Sequence, residues 1–181
     1  MKYFVLAMLL SAGFWTALSM ADPRSSAPAQ QAAVPPPNPA IDMPGHLTNA
    51  QEAAKHRTTR RLSEADFIKM SKEKGVIVLD ARSKDKYDLL HIEGAVNLPF
   101  SDIAVDSLKT MIPDKDTPIL IYCNNNFRNN EMAFASKAPI ASLNLSTYIS
   151  LYGYGYRNIY ELAPRLDPAT TKLKLVSTTR K

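Results

Sequence analysis

Cysteine is nearly absent from this chain: 181 residues carry one, Cys123. A single thiol excludes a disulfide within the chain and any Cys-x-x-Cys exchange mechanism. It leaves either a small buried apolar residue or a sulfur kept for chemistry. Glycine-rich nucleotide loops and internal repeats are missing as well. His91-Ile-Glu93 has a metal-like spacing, but no Pro-Cys-x-x-Cys partner follows it. No metal and no cofactor are expected. The charge excess is mild, +5, and the basic residues are scattered apart from small clusters at Lys55–Arg61 and Lys172–Lys181. Both clusters fall outside the expected core, so they read as solvated tails, and nucleic acid is not an expected partner.

Long apolar runs are confined to the N-terminus. Residues 1–21 read as a secretory signal, with Lys2 as the charged start, Tyr3–Leu10 and Phe14–Leu18 as the apolar stretch and Ser19-Met20-Ala21 at the cleavage site. The rival is an uncleaved anchor, since a bilayer needs about 20 apolar residues. Ser11, Gly13 and Thr16 inside the run favour cleavage, with export to the periplasm and a mature start near Asp22. A membrane is a partner only if the segment stays uncleaved. An exported, oxidising setting makes an unpaired thiol more telling. Residues 22–60, rich in Pro and Ala and including Pro35-Pro-Pro37, read as a linker in which His46 and His56 are solvated.

The remaining length suits one core, since about 100 to 200 residues usually make a domain. The expected domain is 61–166, followed by a basic tail over 167–181. Ser63 caps a helix carrying Ala65, Phe67, Ile68 and Met70, and Gly75 ends it. Val76–Leu79 is a short β-branched run, the pattern of a strand covered on both faces. Ser83 opens a short helix through Leu90, Gly94 marks a turn, and Ala95–Leu98 is a second strand. Ser101–Met111 has helical spacing and Pro113 stops it. Pro118–Tyr122 is the next strand, residues 129–137 have a helical pattern, Leu143–Leu151 is ambiguous, and Asn158–Leu162 reads as the last strand. Short buried strands alternating with helices predict an α/β fold, a mostly parallel central sheet with helices on both faces.

In such sheets ligands bind beyond the carboxyl ends of strands. Cys123 stands there, before the polar loop Asn124-Asn125-Asn126-Phe127-Arg128. The start of a following helix and a nearby arginine both favour thiolate, and inward-facing loop N–H groups can cradle an anion. Asp80 and Arg82 are expected to bond to each other and fix the strand end.

Val78-Leu-Asp-Ala-Arg82, Lys84-Asp-Lys-Tyr87, His91-Ile-Glu-Gly-Ala-Val-Asn-Leu-Pro99, Ile119-Leu-Ile-Tyr-Cys123 and Gly155-Tyr-Arg-Asn-Ile-Tyr160 occur in this order. Together they resemble the signature of rhodanese-like domains over roughly residues 62–165. The resemblance implies a rhodanese-like fold and a sulfurtransferase in which Cys123 carries the sulfur. Thiosulfate or a low-molecular-weight persulfide is the donor and a thiol the acceptor. It makes Asn124 to Arg128 the substrate loop and puts His91–Glu93 in a structural turn. The loop departs from the family pattern in having three asparagines where a glycine and a basic residue are common; asparagine tolerates the left-handed backbone. Arg128 is then the loop's only charge, and Phe127 an apolar wall that hints at a donor other than thiosulfate. A cysteine phosphatase is disfavoured, because its arginine is needed at the position of Asn129. Tyr148, Tyr152, Tyr154 and Tyr156 either line a pocket or pack the edge of the core. A non-catalytic binding or sensing module is the alternative function, and the sequence identifies no protein partner.

Overall fold

The computed structural model describes residues 36–179. The signal expected at 1–21 and the first part of the linker lie outside them. The chain divides after Pro37, and the unit from Asn38 onward holds the elements that follow.

Its centre is a five-stranded sheet made of β1 (Arg61–Leu62), β2 (Ile77–Asp80), β4 (Val96–Asn97), β5 (Ile119–Tyr122) and β6 (Ile159–Leu162). The order is β1-β6-β5-β2-β4 and every pairing is parallel. A separate antiparallel pair joins β3 (His91–Ile92) to β7 (Leu175–Val176). The period of two along a strand divides the buried side chains between two cores. Leu79, Ile119, Ile121 and Ile159 enter one, under α1 (Met43–Arg57), α4 (Val105–Met111) and α5 (Leu143–Gly153). Val78, Leu120, Tyr122 and Leu162 enter the other, with Phe67 of α2 (Glu64–Met70), Phe127, Phe134 and Leu173. Tyr87 and Leu89 of α3 (Lys84–Leu89) pack against that second core. The expected α/β sheet with helices on both faces is what forms.

Local signals account for several boundaries. Ser63 Oγ accepts from Asp66 N at 3.1 Å, and Gly75, with φ of 83°, closes the turn after α2. Five expectations need correction. The segment 43–57, expected as linker, is α1: Asp42 caps it through Gly45 N at 2.9 Å and Pro44 lies in the first turn. Its docking uses small and polar groups, which a search for apolar periodicity misses: Ala53 is fully buried, Asn49 Nδ2 donates to Ile149 O at 2.9 Å, and His56 is not solvated but shares a 2.7 Å hydrogen bond with Tyr148 OH. The expected tail is also docked: Thr171 Oγ1 and Lys172 N both donate to Glu64 Oε1, and Leu173 is buried.

The helix expected over 129–137 does not form. Asn129 sits at φ of 62°, and Asn124, Asn125 and Asn130 side chains take backbone groups that a helix needs. The expected helix 101–111 is split, because Ser107 Oγ accepts from Ala104 N and donates to Asp102 O, leaving a 3-10 turn at Phe100–Asp102 before α4. The ambiguous stretch is α5, which buries Asn144, Thr147, Tyr148 and Leu151, one helical face. Tyr148 and Tyr156 belong to the first core, whereas Tyr154 is exposed.

Candidate active site

Cys123 continues the odd register of β5 beyond Ile119 and Ile121, so its side chain emerges on the face covered by α1 and α5. Its backbone is extended, φ −146° and ψ −176°. The residue is 1% exposed, but its neighbours are not a wall of aliphatics. Sγ lies 3.6 Å from Ser142 Oγ, and the cysteine borders a hollow of about 350 Å³ whose wall includes Arg57, Arg61, Asn125, Ser142, Asn144 and Glu161.

The sequence points to only part of this wall. Glu161 lies opposite Ile121 in the β5–β6 register and is 2% exposed. Arg57 Nε donates to its Oε2 at 2.8 Å, a second Arg57 nitrogen donates to Oε1, and Arg61 Nε donates to Oε1 at 3.0 Å. A buried carboxylate needs such partners. The signal in the sequence is a charged residue inside an apolar strand, Ile159-Tyr-Glu-Leu162. Arg57 and Arg61 belong to the basic cluster expected to be solvated, and α1 and β1 bring both to the hollow. Side-chain exposure is 29% for Arg57 and 50% for Arg61.

The loop residues are dispersed. Asn125 lines the Cys123 hollow, and Lys137 pins it by two 2.9 Å bonds, one in each direction. Asn126 also borders it, but its side chain is fully engaged: Oδ1 accepts from Cys123 N at 2.9 Å and Asn144 Nδ2 at 3.0 Å, while Nδ2 donates to Leu162 O at 2.7 Å. Asn124 donates to Ala135 O and faces a second hollow of about 370 Å³ with Arg82, Lys86, Phe100 and Lys137. Phe127 is not an apolar wall of the site: it is fully buried against Phe134, ring centroids 4.2 Å apart. Arg128 is exposed, its N–H bonded to Leu166 O at 2.9 Å, and its charge lies near Asp167.

Four of the six N–H groups from Cys123 to Arg128 are taken up by the protein, and those of Asn124 and Asn125 have no protein partner among the described residues. N–H groups of Cys123, Asn126, Phe127 and Arg128 all donate within the protein. The turn after Cys123 is a three-residue 3-10 segment, Asn124–Asn126, too short to act as a helix dipole. The charged side chains in the wall are Arg57, Arg61 and Glu161, and only the two arginines are positive.

Asp80 and Arg82 do bond to each other. Arg82 Nε donates to Asp80 Oδ1 at 2.9 Å, and the guanidinium also reaches Ala133 O and Leu90 O, each at 2.8 Å. Tyr122 OH donates to Asp80 Oδ2 at 2.5 Å. Burial, then the Asp80 charge, pushes the Tyr122 phenol well above its ordinary 10, so it remains a donor. His91 is buried, stacked on Tyr87 with centroids 3.7 Å apart and bonded to Tyr87 O, while Glu93 pairs with Lys174.

Among curated proteins, the chain is 33% identical to thiosulfate sulfurtransferase PspE of Escherichia coli over 46 residues, 25% of this chain and 43% of that protein. It is 26% identical to thiosulfate sulfurtransferase GlpE of Coxiella burnetii over 74 residues, 41% of this chain and 66% of that one. The matched stretches thus span less than two thirds of either relative. The solved BH2092 protein from Bacillus halodurans is 22% identical, with a TM-score of 0.49, over 73% of this chain and 87% of that one. The family model described as Rhodanese-like domain matches residues 63–163. That match covers more than half of the chain and contains four of the five parallel strands, β2, β4, β5 and β6, with the cysteine at the end of β5, and the chain belongs to the rhodanese-like domain family.

Proposed function

We propose that this chain is a sulfurtransferase in which Cys123 carries the sulfur. The observation that supports it best is the position of Sγ beside a polar hollow walled by two guanidinium groups. As thiolate, Cys123 attacks the sulfane sulfur of the donor; an Sγ–S bond forms, the donor's sulfur–sulfur bond breaks, and the remainder leaves with the electron pair. With thiosulfate the leaving group is sulfite. An acceptor thiolate then attacks the outer sulfur, takes it, and returns Cys123 to thiolate. Covalent relay divides one transfer into two easier ones. Thiosulfate sulfurtransferases among the relatives support the same class.

Export to the periplasm belongs to this reading, supported by Lys2, the apolar run and Ser19-Met20-Ala21. Among the described residues no helix is long and apolar enough to cross a membrane. N-terminal sequencing of the exported protein should begin near Asp22.

Intact-protein mass after incubation with thiosulfate or glutathione persulfide tests the chemistry. Wild type is expected to gain one sulfur atom and Cys123→Ser none, a complete loss of loading. A binding or sensing module is the second reading, favoured by loop amides that are already bonded within the protein. Wild type left unmodified by every donor would establish that reading instead.

A further inference from the structure

Two features of the hollow beside Cys123 bear on which donor it takes. The first is charge. Two guanidinium groups face one carboxylate, so the wall keeps one positive charge in excess. Arg61 gives Glu161 only its Nε; its two terminal nitrogens have no protein partner among the described residues. A planar guanidinium presents paired donors that match a carboxylate. The second is size. A hollow of about 350 Å³ lies in the range of small organic ligands, about 300–1,000 Å³. Thiosulfate, a five-atom ion, displaces only the volume of a few waters at about 30 Å³ each.

We infer that Arg57 and Arg61 recognise the carboxylate of a small organic persulfide, making such a molecule the sulfur donor in place of an inorganic ion. The inference rests on the sulfurtransferase reading. Both arginines precede the family match at 63–163, so the donor's binding site combines the family domain with α1 and β1 in front of it. Four of the six loop amides are bonded internally, which weakens the loop's hold on a small oxyanion and agrees with recognition by the arginines. The transfer is balanced: R–S–SH and the Cys123 thiolate give R–S⁻ and Cys123–S–SH. One sulfur–sulfur bond breaks as another forms, no external oxidant is needed, the electron pair leaves on R–S⁻, and the proton stays on the transferred sulfur.

Glutathione persulfide, its carboxylate-esterified form and thiosulfate are the probes, and the rate of sulfur gain by intact-protein mass is the readout. Arg57→Gln with Arg61→Gln removes the charges; adding Glu161→Gln to that pair avoids a stranded carboxylate. The triple variant is expected to load from glutathione persulfide about tenfold more slowly and from the ester at nearly the wild-type rate. Arg61→Gln alone, at a half-exposed side chain, keeps the fold and should slow the acid by about threefold. An equal fall with acid and ester assigns the arginines to structure and overturns the inference, as does no fall with either. Wild type that loads faster from thiosulfate than from glutathione persulfide overturns the donor class. Wild type that no donor loads removes the sulfurtransferase reading and this inference together, whereas loading indifferent to the arginines removes only the inference.

Discussion

Two arginine–carboxylate clusters flank β5, on opposite faces of the sheet, and adjacent residues Tyr122 and Cys123 lead to one each. On the Tyr122 side Asp80 and Arg82 are 0% and 3% exposed, and the guanidinium is spent on Asp80, Ala133 O and Leu90 O. On the Cys123 side Glu161 is equally buried, but its arginines reach the surface. The same chemical pair therefore does two jobs. Where each guanidinium nitrogen has a protein partner, the cluster ties β2 to the end of α3 and the segment around Ala133. Where donors remain, it can hold a ligand. Access, rather than charge, separates them.

The largest way to break this contrast is Arg82→Ala. Removing one member of a closed buried pair typically costs about 3–5 kcal/mol, because the partner charge is left unpaired. Urea unfolding should show that loss; a change below about 1 kcal/mol would mean the closed cluster holds nothing together. Glu161→Gln should cost less, about 1–2 kcal/mol, since both arginines can turn to water. The same change adds a net positive charge to the hollow, so loading by an anionic donor should quicken while stability falls. Slower loading would show that Glu161 is needed to aim the arginines.

The smallest effect concerns the helix that delivers Arg57. His56 is held below its ordinary 6.5 by burial, then by the Arg60 and Arg157 charges. The folded chain thus takes up this proton at lower pH than the unfolded chain does. Stability linked to neutral His56 is complete above about pH 6.5 and is lost as pH falls from there through the lower folded-state value. Across that window Tm should drop by a few degrees at most, and less in His56→Gln. Identical profiles would remove His56 from the docking of α1.

Much of the sheet was legible because its signals are local. Val78–Asp80 and Ile119–Tyr122 are β-rich runs closed by polar residues, and the Asp80–Arg82 bond spans two positions. The helix face of α5 was hidden because two of its four buried residues, Asn144 and Thr147, are polar. The segment after Cys123 misled because its apolar spacing is helical, yet asparagine side chains compete for the backbone. Of the candidate site residues, Asn125 and Asn126 share the hollow with Cys123, whereas Asn124, Phe127 and Arg128 do not.

The sequence by itself determined the alternation of strands and helices and put the lone sulfur at the end of β5. Those features follow from backbone preference and apolar period, which act over a few residues. Only the tertiary structure decided what surrounds that sulfur. Arg57, Asn144 and Glu161 are far apart along the chain and meet through parallel strand pairing and the packing of α1 on α5. Polar contacts of that kind depend on geometry closed by distant segments, and they leave no local periodicity to read.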